Sequence, residues 1–213
     1  MGKPIRFRAL ALILPFAVLG NAAGQQPPAA SKTETIVFIR HGEKPANDEG
    51  QLSCQGLNRA LALPMVLDAK FGRPDFILAP LTTKKKGREG TFSYVRPLMT
   101  IEPTAIRAGL PVETRIAYDD LGSLQGELCE KQYQQATIFV AWEHKQLDEV
   151  VRRLVSAFGG NEKDVPDWPA DDFDSIFVVR LLADPQGKKS ITFEHDHEGL
   201  NGLSTDYPVV KGK

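Results

Sequence analysis

Residues Thr35-Ile36-Val37-Phe38-Ile39 form an unbroken β-branched and apolar run. A strand with one face in water alternates polar and apolar side chains, so a run without alternation fits a strand covered on both faces. Cover of that kind comes from helices packed on either side of a sheet. The rest of the chain is patterned to supply it. Ser53 suits a helix N-cap, and Leu57, Ala60, Leu61, Met65 and Leu67 follow at helical spacing until Gly72 and Pro74. Residues 75–79 read as a second strand, and residues 80–93, polar and glycine-containing, as a surface loop. A helix is expected from Pro97, kinked or divided at Pro103 before Gly109. Residues 113–118 and 137–142 are further strand candidates. Leu147, Val150, Val151, Leu154, Val155 and Phe158 then make one apolar helical stripe that ends at Gly159-Gly160. Residues 175–182 and 189–193, joined across Asp184-Pro185-Gln186-Gly187, read as a closing hairpin. Strands alternating with helices predict an α/β fold, a three-layer sandwich whose central sheet is mostly parallel with an antiparallel edge and helices on both faces.

One domain is enough to hold this pattern. A chain of 213 residues, 42% hydrophobic and 25% charged, is globular in balance. At this size roughly 70% of the unfolded surface is buried on folding, so neither a disulfide framework nor a structural metal is required. The net charge of -1 provides no basic field for non-specific nucleic-acid binding, so any anion must be caught by a local cluster. The start of the chain reads differently: Lys3, Arg6 and Arg8 precede an apolar run over residues 9–20, and Ala22-Ala23-Gly24 offers small residues for cleavage. Residues 1–24 are therefore expected to be a secretory signal peptide, 25–33 a flexible lead-in, and 34–213 the folded domain. The expected location is periplasmic or secreted, with no membrane contact after cleavage and a mature net charge of -4. Export would give Cys54 and Cys129 an oxidant, and a bridge between them and two separate thiols are both open.

Arg40-His41-Gly42-Glu43 follows directly on the first strand. At the carboxyl end of a buried strand, where α/β sheets bind ligands, an arginine can fork onto phosphate oxygens and a neutral imidazole can attack phosphorus. The glycine would let backbone approach the ligand. His144 stands in the corresponding place after residues 137–142. Three further segments extend the pattern in order: Leu52-Ser53-Cys54-Gln55-Gly56-Leu57-Asn58-Arg59-Ala60, Ser93-Tyr94-Val95-Arg96-Pro97-Leu98-Met99-Thr100-Ile101, and Ile138-Phe139-Val140-Ala141-Trp142-Glu143-His144.

Over residues 35–160 the chain thereby resembles the histidine phosphatase superfamily, which includes cofactor-dependent phosphoglycerate mutases and many acid phosphatases. The resemblance implies a phosphate monoester hydrolase working through a phosphohistidine on His41. It makes Arg40, Arg96 and His144 the other walls of the phosphate pocket, with Gly42 and Glu43 beside the substrate, and it implies no metal and no cofactor. The implied partner is a small phosphorylated substrate, with the oligomeric state open. A phosphomutase of the same family, or a binding protein that keeps the pocket without turnover, is the alternative.

The proton donor departs from both patterns of the family. One branch uses a glutamate on a loop beyond the second arginine, and here Asp119 and Asp120 stand in roughly that place. The other branch uses an aspartate just after the second histidine, where this chain has Lys145. Glu143 is a further candidate, although strand alternation would turn it away from its neighbour. Cys54 and Arg59 lack the five-residue separation of a cysteine-based phosphatase loop. The basic run Lys84-Lys85-Lys86-Gly87-Arg88 reads as a solvated loop, and His195-Asp196-His197 as an exposed tail.

Overall fold

The structure is a computed structural model that describes residues 33–47, 50–83, 85–86, 92–184 and 186–209. All of them belong to the compact unit Ser31–Lys213. The expected signal segment, nearly all of the lead-in, and Lys84, Gly87 and Arg88 of the basic run lie outside the described residues.

The unbroken apolar run becomes β1 (Glu34–Arg40), and Ile36, Val37, Phe38 and Ile39 are fully buried. α1 (Cys54–Phe71) follows, with the Ser53 side chain accepting from the Gly56 N–H as its N-cap. Next come β2 (Phe76–Leu78), the short pair β3 (Lys85–Lys86) and β4 (Phe92–Ser93), and the helices α2 (Arg96–Ala108) and α3 (Leu121–Leu128). β5 (Thr137–Trp142), α4 (His144–Ala157), β6 (Ser175–Ala183) and β7 (Lys189–His197) complete the fold. The main sheet runs β2-β5-β1-β6-β7. β2, β5 and β1 are parallel, whereas β6 and β7 add an antiparallel edge. Side chains alternate along β1, so Ile36 and Phe38 enter one core with α3 and α4, while Val37 and Ile39 enter a second core with α1 and α2. The expected three-layer α/β arrangement is the one observed.

Several local expectations are corrected. Of the two outcomes expected at Pro103, division does not occur: α2 passes through it as one helix. Proline there forfeits one hydrogen bond, but Ile101, Thr104 and Ala105 stay buried around it and hold the helix together. Residues 113–118 form no strand: Glu113 makes an isolated parallel bridge to Leu78, because three-residue β2 offers little ladder to extend. The face of α1 is also shifted. Ala60, Leu63, Pro64 and Leu67 are buried, whereas Leu61 and Met65 are 51% and 60% exposed. The polar stretch 80–93 contains the β3–β4 pair, and α3 appears where no helix is expected. His195, Asp196 and His197 are not a tail but the end of β7, paired with Phe177, Ile176 and Ser175. Both cysteines are free thiols, Cys54 opening α1 and Cys129 capping α3. Among the described residues no helix is long and apolar enough to cross a membrane.

Candidate active site

The site forms where β1 and β5 end side by side. Their last register pair sets Arg40 against Trp142, and the His41 N–H donates to the Trp142 carbonyl at 3.1 Å. The next residues, His41 on one chain segment and Glu143-His144 on the other, therefore leave the sheet at the same, carboxyl end. α2 and α4 begin there, at Arg96 and His144, so the positive ends of two helix dipoles meet the site. Arg40, His41, Arg96, Glu143 and His144 are all nearly buried, with exposures of 2%, 3%, 2%, 6% and 8%.

The loop after β1 is fixed by backbone. A Cβ on Gly42 would come within 2.9 Å of the Gly56 carbonyl oxygen, and one on Gly56 within 2.3 Å of the Glu43 carbonyl oxygen. These two glycines let the start of α1 close on the loop. That close contact is what requires glycine at position 42, a reason the tripeptide did not suggest. The Gly42 N–H donates to the Thr100 hydroxyl at 2.9 Å, and that hydroxyl donates to the Arg96 carbonyl at 2.8 Å. Thr100 thus ties the nucleophile loop to the first turn of α2.

His41 has its Nδ1 2.8 Å from the Gly42 carbonyl, which requires the proton on Nδ1 and leaves Nε2 with a lone pair. Burial holds its pKa well below the ordinary 6.5, the Gly42 carbonyl opposes this, and the charges of Arg96 and Arg40 add to the depression. Arg40 Nη1 donates to the carbonyls of Asp172 at 2.6 Å and Pro169 at 3.3 Å. Its guanidinium carbon lies 3.8 Å from the centre of the Phe173 ring. Burial lowers Arg40 to about 10, with Glu143 opposing and Arg96 reinforcing the shift, so it remains charged at neutral pH. Arg96 lies 5.1 Å from the centre of the Tyr94 ring, which meets His41 edge-on with ring centres 6.1 Å apart.

Among the described residues Arg40 Nε and both nitrogens of His144 are buried without a hydrogen-bond partner. Glu143 Oε1 lies 3.1 Å from His144 Nδ1, an ion-pair approach without hydrogen-bond alignment, and its side chain also accepts from the Gln146 N–H. Asp119 and Asp120 are exposed, and Asp120 caps α3 through the Ser123 N–H at 3.1 Å. Their loop reaches the site through Tyr118, whose ring meets Tyr94 at 5.1 Å. Glu43 is turned to Arg59, which donates to its carboxylate from Nε and Nη2 at 2.7–3.1 Å. No group of three or more His, Cys, Asp or Glu side chains among the described residues could hold a metal ion.

Sequence reasoning placed Arg40, His41, Arg96 and His144 at the site, and the structure sets them at the carboxyl ends of β1 and β5 and at the start of α2. It missed Thr100, Tyr94 as a neighbour of His41, and the 169–173 segment that grips Arg40. Only the aromatic Tyr94 so close before Arg96 offered a signal.

No family model and no curated protein matches the chain. Among solved structures it is similar to a protein assigned as the phosphohistidine phosphatase SixA from Nakamurella multipartitia. That pair shares 15% identity over 76% of this chain and 96% of that chain, at a TM-score of 0.49. A phosphoserine phosphatase variant from Entamoeba histolytica, in complex with phosphoserine, is 12% identical over 80% of this chain and 99% of that one, at a TM-score of 0.48. A protein from Agrobacterium tumefaciens with the same SixA assignment is 14% identical over 71% of this chain and 96% of that chain, at a TM-score of 0.44. The likeness is one of overall shape. It assigns no residue a role.

Proposed function

We propose that this chain is a phosphate monoester hydrolase that works through a phosphohistidine on His41. The observation that carries this reading is the unsatisfied, cationic character of the buried site. Two guanidiniums, two imidazoles and two helix N-termini converge, and among the described residues Arg40 Nε and His144 Nε2 are buried with no protein partner, while His144 Nδ1 faces only the Glu143 carboxylate. Phosphoryl oxygens would accept from Arg40 Nε and from a proton on His144 Nε2, and the same groups would offset the charge that spreads over those oxygens in the transition state. His41 Nε2 attacks phosphorus as the bond to the ester oxygen breaks. The Nδ1 bond to the Gly42 carbonyl supports that tautomer. Water then attacks phosphorus, breaks the P–N bond and releases phosphate.

The departing oxygen needs a proton. The Glu143–His144 pair suits that task better than Asp119 or Asp120, because it is buried beside Arg40 and His41 while both aspartates face solvent. Export remains part of the proposal on the strength of residues 1–24, and mass spectrometry of the mature N-terminus tests it.

The deciding experiment is phosphate release across sugar, inositol, amino-acid and peptide phosphates. Turnover of at least one, abolished by His41→Ala in a chain that still folds, is the expected result. Inhibition by vanadate and survival of activity in chelator should accompany it. Full activity in folded His41→Ala would end the phosphohistidine reading.

A further inference from the structure

Arg40 can present the same edge to every ligand only if its guanidinium plane is fixed. The fixing groups are the carbonyls of Pro169 and Asp172 and the ring of Phe173, all on a segment without regular structure. What holds that segment is the Asp172 side chain. Its Oδ1 accepts the N–H groups of Asp174 at 2.8 Å and Ser175 at 3.1 Å, and its Oδ2 accepts the Ser175 hydroxyl at 2.5 Å. The carbonyl of the same residue accepts from Arg40 Nη1 and, at 3.0 Å, from Trp168 Nε1. Anchoring the side chain anchors the carbonyl a few bonds away.

The proton count extends this arrangement to the edge of the sheet. Burial works to raise Asp172, but the Ser175 hydroxyl and the two N–H groups outweigh it and hold the carboxyl below its ordinary range. Asp172 is therefore a pure acceptor at neutral pH. The single hydroxyl proton of Ser175 goes to it. His195 Nε2, 2.7 Å from the same hydroxyl oxygen, must then be the donor. His195 sits on β7 and reaches Ser175 at the start of β6 across the strand pair. Protonation at Nδ1 leaves the Nε2–H in place, so the bond is the same in both charge states.

We propose that Asp172, Ser175 and His195 act as positioning residues that clasp Arg40, committing Nη1 to backbone and leaving the Nε edge of the guanidinium for a phosphoryl oxygen. The inference rests on the proposed phosphate-binding role of Arg40. Its immediate consequence, a guanidinium that does not rotate, does not depend on turnover.

Both are tested on the whole chain. In nitrogen–proton NMR spectra the Arg40 guanidinium should show slow rotation in the wild type. Ser175→Ala and His195→Leu should release it and weaken inorganic phosphate binding, measured by calorimetry, by about fivefold, the loss expected for one ordering hydrogen bond. His195→Gln, whose amide can donate to the same hydroxyl, should restore both readouts. An Arg40 that stays slow in folded Ser175→Ala and His195→Leu overturns the clasp, whatever phosphate does. A freed Arg40 with unchanged phosphate affinity and turnover instead overturns the role of Arg40 at the site.

Discussion

His41 and the two glycines beside it are each constrained by a different force. Burial, Arg96 and Arg40 all work against the imidazolium, so the ring should be neutral in the free protein at pH 6, with its proton on Nδ1. A nitrogen NMR titration of the His41 ring checks this; protonation near pH 6.5 would mean that neither burial nor the arginines depress it. The glycines are constrained by space. Alanine at 56 would drive its methyl against the Glu43 backbone, and overpacking of this kind costs about 1–3 kcal/mol or more. Gly126, inside α3 with open space for 4 Å around the point where a methyl would stand, is the control. Gly126→Ala should stabilise by about 0.5–1 kcal/mol through helix propensity. Denaturant unfolding of the two variants should therefore move in opposite directions.

Two helices start at acidic caps, and the caps divide the chemistry from the scaffold. Asp120 caps α3 from an exposed position, whereas Glu143 caps α4 from within the site. Asp120→Asn keeps a capping side chain and should leave turnover unchanged. Glu143→Gln should slow alkyl phosphates by about 10²-fold while nearly sparing aryl phosphates, whose leaving groups need little protonation. Equal loss on both substrate types would remove the acid role from Glu143. The sequence made β1, β5 and α4 legible because each carries a single unambiguous pattern: unbroken apolar runs for the strands, one stripe from Leu147 to Phe158 for the helix. In α1 apolar residues surround the axis, with Leu57, Leu61, Leu63, Met65 and Leu67 all present, so periodicity alone could not choose the buried face. α3 is eight residues long with two internal glycines, below the length at which a pattern stands out. The residues gripping Arg40 were hidden for another reason. Pro169 and Asp172 act through main-chain carbonyls, which residue type does not reveal.

The largest-scale constraint in the molecule passes through one side chain, Arg59, which is fully buried in α1. It meets Glu43 beside the nucleophile, Asp174 before β6 and Glu198 after β7, at 2.7, 3.3 and 2.5 Å. The last two partners lie 115 and 139 residues away in the chain, so one guanidinium joins the start of the domain to its closing hairpin. Three carboxylates around one guanidinium carry an excess of negative charge in a dry place. Burial raises Glu198 from 4.5 to about 8, Arg59 opposes the shift, and Asp174 and Glu43 add to it. The folded chain therefore keeps a proton at neutral pH that the unfolded chain has released, and the linked stability is fully present below about 4.5 and lost as pH rises through about 8. Glu34, which burial raises to about 7, contributes in the same direction, whereas neutral His41 contributes stability that grows with pH. The net curve of the wild type mixes these signs, so the contribution of Glu198 has to be read as a difference. Glu198→Gln keeps the shape and cannot ionise. Relative to that variant, the wild type should lose thermal stability steadily between pH 5 and pH 8, while Arg59→Met, which strands the carboxylates, should cost about 3–5 kcal/mol near neutrality. A wild-type-minus-variant difference that stays flat, or that grows in favour of the wild type as pH rises, would mean that Glu198 is ionised in the fold and that Arg59 alone balances the cluster.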